Sequence, residues 1–424
     1  MNIIQEKTIF DYMEIENLGD LERLKLCLEN IEDDKLCKTL EEERGNGRND
    51  FPIRVMLNFV YAMKIFGHRS IESFRRELSR NSQLRKACGL KEEDYLYLGK
   101  RKSLIPKARV FTNFFKLLTK HQDLLDEIFE EDVLYMYENL EDFGEDSALD
   151  GKLIDSYAKT EHQKSCGDNR AEHDASWTCK TYYFNDGTKK STWHFGFEAH
   201  ILCDANYGLP IWYKLDTASI SEQKVANDMI DELEKEHKYV LERMKNFLAD
   251  AGYDDGKRNK ILKDKYNINP LVDIRHMWKE EKIREIPNQM LAYNEDGEVF
   301  YIKDSSNGEY EKLKYLGYDK QRKCLRYGFK YNNSKVFRIP IETDRRVFLP
   351  IARDSKKFER LYKKRTEVER LNGRIDRDYM FNDHFIRGKK KMNMMLSLTF
   401  IVMMSMAKGH IKNKQNNIRS LIKV

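Results

Sequence analysis

The sequence predicts a mixed α/β core, preceded by an all-α domain and interrupted by an antiparallel β insertion. Three observations carry this. In the first 140 residues apolar side chains recur at helical spacing, as Met56, Val60 and Met63, then Ile71, Phe74 and Leu78, then Phe111, Phe114, Phe115 and Leu118. From Ser147 onward, strand-like runs alternate with helical ones, the mark of a mixed sheet. From about Met277 to Arg353 the alternation gives way to short aromatic and β-branched runs separated by Asn, Gly, Ser and Asp.

The elements follow in order. Gly67 and Pro106 punctuate the N-terminal helices. SALDGKLI reads as a buried strand, and a polar, loop-like stretch runs from about Lys159 to Lys190. WHFGFEAHILCDA and LPIWYKL read as two strands joined by a turn containing Asn206 and Gly208. Glu222 to Met244 has no Gly or Pro and is expected to be one helix. KNFLAD is a strand ending in an Asp, Lys257 to Lys265 is helical, and INPLVDI is a further strand. FYIK, EKLKYLGY, CLRYGFKY and KVFRIPI form the insertion. One long charged helix is expected from about Ser355 to Tyr379, followed by an apolar helix. The expected division is a helical domain at 1–140, the first part of the core at 141–276, the insertion at 277–353 and completion of the core at 354–424.

A chain of 424 residues can bury at least one large core. Hydrophobic residues make up 40%, charged residues 35%, and mean hydropathy is -0.75, so a soluble globular protein is expected. Net charge is only +5, but it is unevenly spread. Arg353 to Lys391 holds 14 Lys/Arg against 7 Asp/Glu, whereas His121 to Asp150 holds 12 Asp/Glu and no Lys/Arg. The first stretch suits a polyanion and the second a bound cation, although either could be a solvated helix face. The seven cysteines are an odd number with no CxxC pair, which argues for a reducing compartment and against a disulfide framework. The N-terminus shows no secretory signal. The apolar run Met392 to Ala407 is short of the roughly 20 residues that span a bilayer and is expected to be a buried helix. A cytoplasmic protein with no membrane partner is the expectation.

Three acidic residues stand out by position. Asp150 ends the first strand of the α/β region, Asp250 ends a later strand before an Ala-Gly turn, and Glu369 lies within the basic helix. Carboxylates at strand ends point into the crevice where α/β sheets bind ligands, and a third from a following helix can close it. Three carboxylates without convergent Cys or His favour a hard cation such as Mg²⁺ or Mn²⁺. Two such ions can activate an oxygen nucleophile on one side of a phosphorus and stabilise the leaving oxygen on the other.

These residues also carry a resemblance. The LDGK strand resembles the first-Asp strand, and LADAGYDD the second-Asp strand and turn, of DDE-type transposases of bacterial insertion sequences. HFGFEAHILCDANYGLPIWYKLDTAS resembles the strand pair between them. YKKRTEVERLNGRID resembles the family helix Tyr-x2-Arg-x3-Glu-x6-Lys, which maps onto Tyr362, Arg365 and Glu369, with Asp376 where the family has Lys. The helices containing FPIRVMLNFVYAMKIFGHRSIESFRREL and IPKARVFTNFF resemble the helical domain preceding the family's core, and the insertion matches in placement. The resemblance covers roughly residues 45 to 410. It implies an RNase H-like core and a catalytic, metal-binding set of Asp150, Asp250 and Glu369. It also implies two Mg²⁺ ions for which Mn²⁺ can substitute. The expected partners are double-stranded DNA, as inverted-repeat ends and target, and a second copy of the chain on that DNA. The N-terminal domain would bind the DNA ends, in a bacterial cytoplasm at the nucleoid. The competing readings are an RNase H-like nuclease without strand transfer and an inactive or domesticated DNA-binding protein.

Arg365 precedes Glu369 by four residues and could hold a DNA phosphate, or merely form a surface ion pair. Tyr362 shares that face and could instead pack against neighbouring helices. Glu367 is expected on the opposite, solvated face. With Asp376 at the Lys position, Arg377 is the favoured substitute cation, since eight residues is about 2.2 turns, and Arg374 the less favoured. Asp254 and Asp255 are expected to cap the next helix. Trp278 could stack on an extruded base but more simply packs in the insertion. Cys166, His173 and Cys179 fit no standard zinc spacing. His200 reads as a structural histidine on a core strand near Asp150.

Overall fold

The computed structural model describes residues 20–45, 50–91, 103–160, 171–183, 188–279, 283–304, 308–331, 335–415 and 417–418. The chain divides into two compact units, neither continuous in sequence. The first comprises Met1–Glu141, Leu153–Phe197 and Asn372–Val424, and the second Asp142–Lys152 and Glu198–Leu371.

In the first unit the described N-terminal elements are α1 (Asp20–Leu28), α2 (Asp34–Arg44), α3 (Ile53–Ile65), α4 (Ile71–Arg80), α5 (Ser82–Ala87), α6 (Ala108–Lys120) and α7 (Gln122–Asn139). The expected apolar stripes are core: Phe59, Phe74 and Phe111 are fully buried and meet as a ring cluster. A long apolar helix, Lys389–Lys412, packs against α1, α3, α6 and α7. It is long and apolar enough to cross a membrane, yet 94% of its most apolar window is buried inside the protein. That burial includes Lys408, which satisfies its charge on Asp132 at 3.3 Å and Glu32 at 2.7 Å.

The second unit is built on a sheet. Strand β1 (Asp146–Asp155) begins here and continues into the first unit. Strand β2 (Ser176–Tyr183) lies in the first unit, where it pairs antiparallel with the first half of β3 (Lys189–Asp204). Within the second unit the order is β4 (Pro210–Thr217), β3, β1, β5 (Asn246–Ala249) and β6 (Asn269–Val272). Strands β1, β5 and β6 are parallel neighbours. They are buried strands, with Ala148, Leu149, Phe247, Leu248, Leu271 and Val272 all fully inaccessible. Helices α8 (Glu222–Glu236), α9 (Lys238–Arg243) and α10 (Gly256–Tyr266) supply the connections.

The insertion forms two small antiparallel sheets. One holds β7 (Ile283–Glu285), β8 (Leu291–Asn294), β9 (Val299–Asp304) and β10 (Glu309–Lys312). The other holds β11 (Lys314–Asp319), β12 (Cys324–Gly328) and β13 (Val336–Pro340). Leu291, Val299, Leu325, Tyr327, Ile339 and Phe348 share one core.

Three expected elements differ. The stretch expected to be a loop contains β2, an exposed strand whose ladder to β3 replaces the missing apolar signal. The helix expected from Glu222 to Met244 is two, broken at His237, whose backbone leaves the helical region at φ -134°. The helix expected from Ser355 to Tyr379 is α11 (Lys356–Tyr362), a 3₁₀ turn at Lys363–Arg365, and α12 (Thr366–Arg377).

Candidate active site

The parallel register of β1 and β5 decides where the two aspartates lie. Asp146 is opposite Asn246, and the ladder continues to Leu149 opposite Ala249. Asp150 follows Leu149 on β1 and Asp250 follows Ala249 just past the end of β5, so the register brings both to the end of the ladder between strands that run about 4.8 Å apart. Strand β5 stops there as expected, whereas β1 runs on to Asp155, so Asp150 is mid-strand and not at a strand end. The Asp250 carboxylate turns the chain by accepting from the Gly252 amide at 2.9 Å, opening a 3₁₀ turn at Ala251–Tyr253. A β-carbon on Gly252 would meet the Glu222 carboxylate, so that side chain packs directly on the turn.

Glu369 approaches from α12. Its carboxylate accepts from Arg365 Nη2 at 2.5 Å, and Arg365 Nη1 lies 3.9 Å from Asp150 Oδ1. One guanidinium thus spans the first Asp and the Glu. Burial works against the Arg365 charge, but Tyr362, Glu369, Asp150 and Asp250 outweigh it and hold the group above its ordinary value. The Arg365 guanidinium lies 5.8 Å from the centroid of the Tyr362 ring. Burial pushes the Tyr362 hydroxyl up to about 12, with Arg365 opposing and Asp273 and Asp250 adding to the rise. Among the described residues no three acidic, His or Cys side chains close around a single point; a cation already lies among these carboxylates, the guanidinium of Arg365. The donor set fits a hard divalent ion, since it offers only carboxylate oxygens.

Several neighbours, His200 excepted, carried no sequence signal. Lys364 Nζ reaches Asp146 Oδ2 at 2.5 Å and Asn206 Oδ1 at 2.7 Å, tying the 3₁₀ turn to the start of β1. Under the aspartates, the buried Tyr253 hydroxyl meets His200 Nδ1 at 3.0 Å. His200 Nε2 is 3.8 Å from the buried Glu198. A β-carbon on Gly151 would lie 2.6 Å from Glu198 and 3.2 Å from the Tyr253 hydroxyl, so this network packs directly behind Asp150. Burial raises the Tyr253 hydroxyl well above its ordinary value, reinforced by Glu222, Asp150, Glu198 and Asp250. His200 is fully buried, as a core histidine should be.

Two expectations reverse. Glu367 is buried, not solvated, because it shares an i, i+4, i+8 line with Leu371 and Ile375, both fully buried; it pairs with Arg370. Asp254 does not cap α10. It is buried and meets Arg346 Nη1 at 3.3 Å and the Arg275 amide at 3.2 Å, while Asp255 caps by accepting from Lys257 N at 2.8 Å. Arg374 and Arg377 belong to the part of α12 in the first unit; Arg377 is exposed and engages Asp378 at 2.8 Å. Asp376 lines a cavity of about 360 Å³ with Asp155, Tyr157, Asp383 and His384. Trp278 packs on the insertion core, with Arg284 3.9 Å over its ring. Cys166 lies outside the described residues; Cys179 is on β2.

Residues 147–405, more than half of the chain, match the family described as "Transposase DDE domain". The chain belongs to the DDE transposase family. It is therefore a transposase, a DNA-cleaving and transposing enzyme, and its sheet is the RNase H-like core of that family. DDE transposases work with divalent metal ions. No curated protein matches this transposase. Among solved structures it is similar to one described as "Cryo-EM structure of piggyBac transposase synaptic complex with hairpin DNA (SNHP)", at 10% identity and a TM-score of 0.43, covering 95% of this chain and 77% of that one.

Proposed function

We propose that this transposase binds the terminal inverted repeats of its own insertion sequence, cuts DNA at their ends, and joins the freed 3′-hydroxyl to target DNA. Asp150, Asp250 and Glu369 are the carboxylates that would hold two Mg²⁺ ions, with Mn²⁺ able to substitute. The observation that carries this reading is the register that sets Asp150 beside Asp250, together with the Arg365 guanidinium that spans Asp150 and Glu369. When bound, the ion pair supplies activation of the attacking water or hydroxyl and stabilisation of the leaving oxygen. The chain's own part is positional. Asp150 and Asp250 are carried by the residues that end the parallel ladder, Leu149 and Ala249. Arg365 exchanges Glu369 for a DNA phosphate, which a guanidinium grips in bidentate fashion. Lys364 keeps the turn that carries Arg365 seated on β1. Arg377, and less favourably Arg374, provides the cation that Asp376 cannot, and the enzyme acts as a dimer on DNA.

The test uses a supercoiled plasmid carrying the element's ends. Asp150→Asn, Asp250→Asn and Glu369→Gln should each abolish cleavage while end binding persists, because the lost charge is a metal ligand and not a DNA contact. Transfer of cut ends into a second plasmid separates this reading from a nuclease that only hydrolyses. A wild-type protein that binds ends without cutting would mark an inactive DNA-binding relative.

A further inference from the structure

We propose that the β2–β3 ribbon is a separate nucleic-acid contact, which stacks Trp177 and Trp193 on unpaired bases of single-stranded DNA. The proposal deepens the transposase reading and rests on it only for the choice of DNA as ligand. The paired part of the ribbon, β2 and residues 189–196 of β3, belongs to the first unit, whereas Asp150, Asp250 and Glu369 belong to the second. Its ladder pairs Trp177 with Phe195, Cys179 with Trp193 and Thr181 with Ser191, so these six side chains share one face. Trp177 and Trp193 are diagonal neighbours on that face, 50% and 65% exposed. Trp177 also lies against Phe195, with ring centroids 5.2 Å apart. The opposite face carries Lys180 and His194, the latter bonded to Asp155 at 2.9 Å, and exposed Lys189 and Lys190 begin β3.

The composition of the ribbon selects the occupant. Residues 176–183 and 189–197 contain three lysines, no Asp or Glu, and no Leu, Ile or Val. Aromatic rings are common at protein interfaces too, but lysine and serine are depleted there, whereas flat rings beside lysines and small hydroxyls form a stacking platform in a positive field. Every base offers a π-face to such rings, but only when it is out of the duplex, which favours a single strand over a double one.

The experiment measures binding of the full-length protein to an oligothymidylate and to a duplex of equal length, without divalent ion. The wild type should bind the oligothymidylate with quenching of tryptophan fluorescence. Trp177→Ala/Trp193→Ala should weaken that binding by at least about tenfold and remove the quenching, with little change on the duplex. Trp177→Phe/Trp193→Phe should largely retain it, since a smaller ring still stacks. Lys189→Gln/Lys190→Gln should lower the slope of log affinity against log salt by about 1.4. Asp150→Asn, run alongside, should bind the oligothymidylate normally, and its plasmid cleavage tests the transposase reading independently of the ribbon. Unchanged oligothymidylate affinity in the double alanine variant, at an unchanged melting temperature, overturns the proposal. So does an equal loss on duplex and single strand. Self-association lost in that variant at unchanged affinity would assign the face to a second copy of the chain.

Discussion

At the scale of single residues, Arg365 holds the centre of the account. It bonds Glu369 and stands 3.9 Å from Asp150, so it neutralises carboxylates that would otherwise repel one another. A divalent ion held by these carboxylates, as proposed, would have to compete with it. Arg365→Ala should therefore tighten Mn²⁺ binding measured calorimetrically without DNA. The same change should slow cleavage on the order of ten- to a hundredfold, the worth of a charge-assisted contact to phosphate. Unaltered values for both would remove Arg365 from the site. The three acidic positions stood out in the sequence because Asp150 lies in an apolar strand, Asp250 follows one, and Glu369 lies in a basic helix. Their relation was not: the pairing of Leu149 with Ala249 is a register, which no local pattern states. Glu367 and Glu369 were separable by helical geometry, but the buried one was assigned to solvent. The Glu367, Leu371, Ile375 line was available and was outweighed by the charge of Glu367.

At the scale of elements, the 3₁₀ turn within the charged helix matters most. The 3₁₀ turn at Lys363–Arg365 separates α11 from α12, and Lys364 pins it to Asp146 and Asn206. Lys364→Met should lower stability by about 1 kcal/mol, as for a partly exposed ion pair. It should also reduce the cleavage rate by displacing Arg365, and Lys364→Arg should recover most of the loss. The salt dependence of DNA binding should stay the same in Lys364→Met; a shallower slope would mean that Lys364 touches phosphate directly. At Lys363–Arg365 the backbone stays right-handed and only tightens, whereas at His237 it leaves the helical region without a Gly or Pro, so propensity gave one helix where there are two. The ribbon strand β2 escaped for the converse reason. Its residues alternate without an aliphatic face, and only the ladder to β3 makes it a strand.

At the scale of the whole molecule, the chain crosses repeatedly between its two units, yet Asp150, Asp250 and Glu369 all fall in one of them. The other unit is held by a mostly apolar core that also buries charge. Burial alone pulls Lys64 down to about 7, despite a Phe381 ring 4.6 Å from its ammonium. Unfolded Lys64 keeps its ordinary value of 10.5, so between about 7 and 10.5 the unfolded chain binds more protons and stability rises with pH. Lys64→Met should be the more stable protein near pH 7.5, with the gap in melting temperature closing toward pH 10; a gap that stays constant would show that Lys64 is not buried as a charge. The central claim is that Asp150, Asp250 and Glu369 form one metal site, and anomalous scattering from crystals soaked in Mn²⁺ tests it most directly. The expected result is one or two peaks about 2.0–2.3 Å from oxygens of all three carboxylates, with Arg365 withdrawn from Glu369. Peaks elsewhere, or Glu369 left more than about 10 Å from the two aspartates when metal is bound, would contradict it.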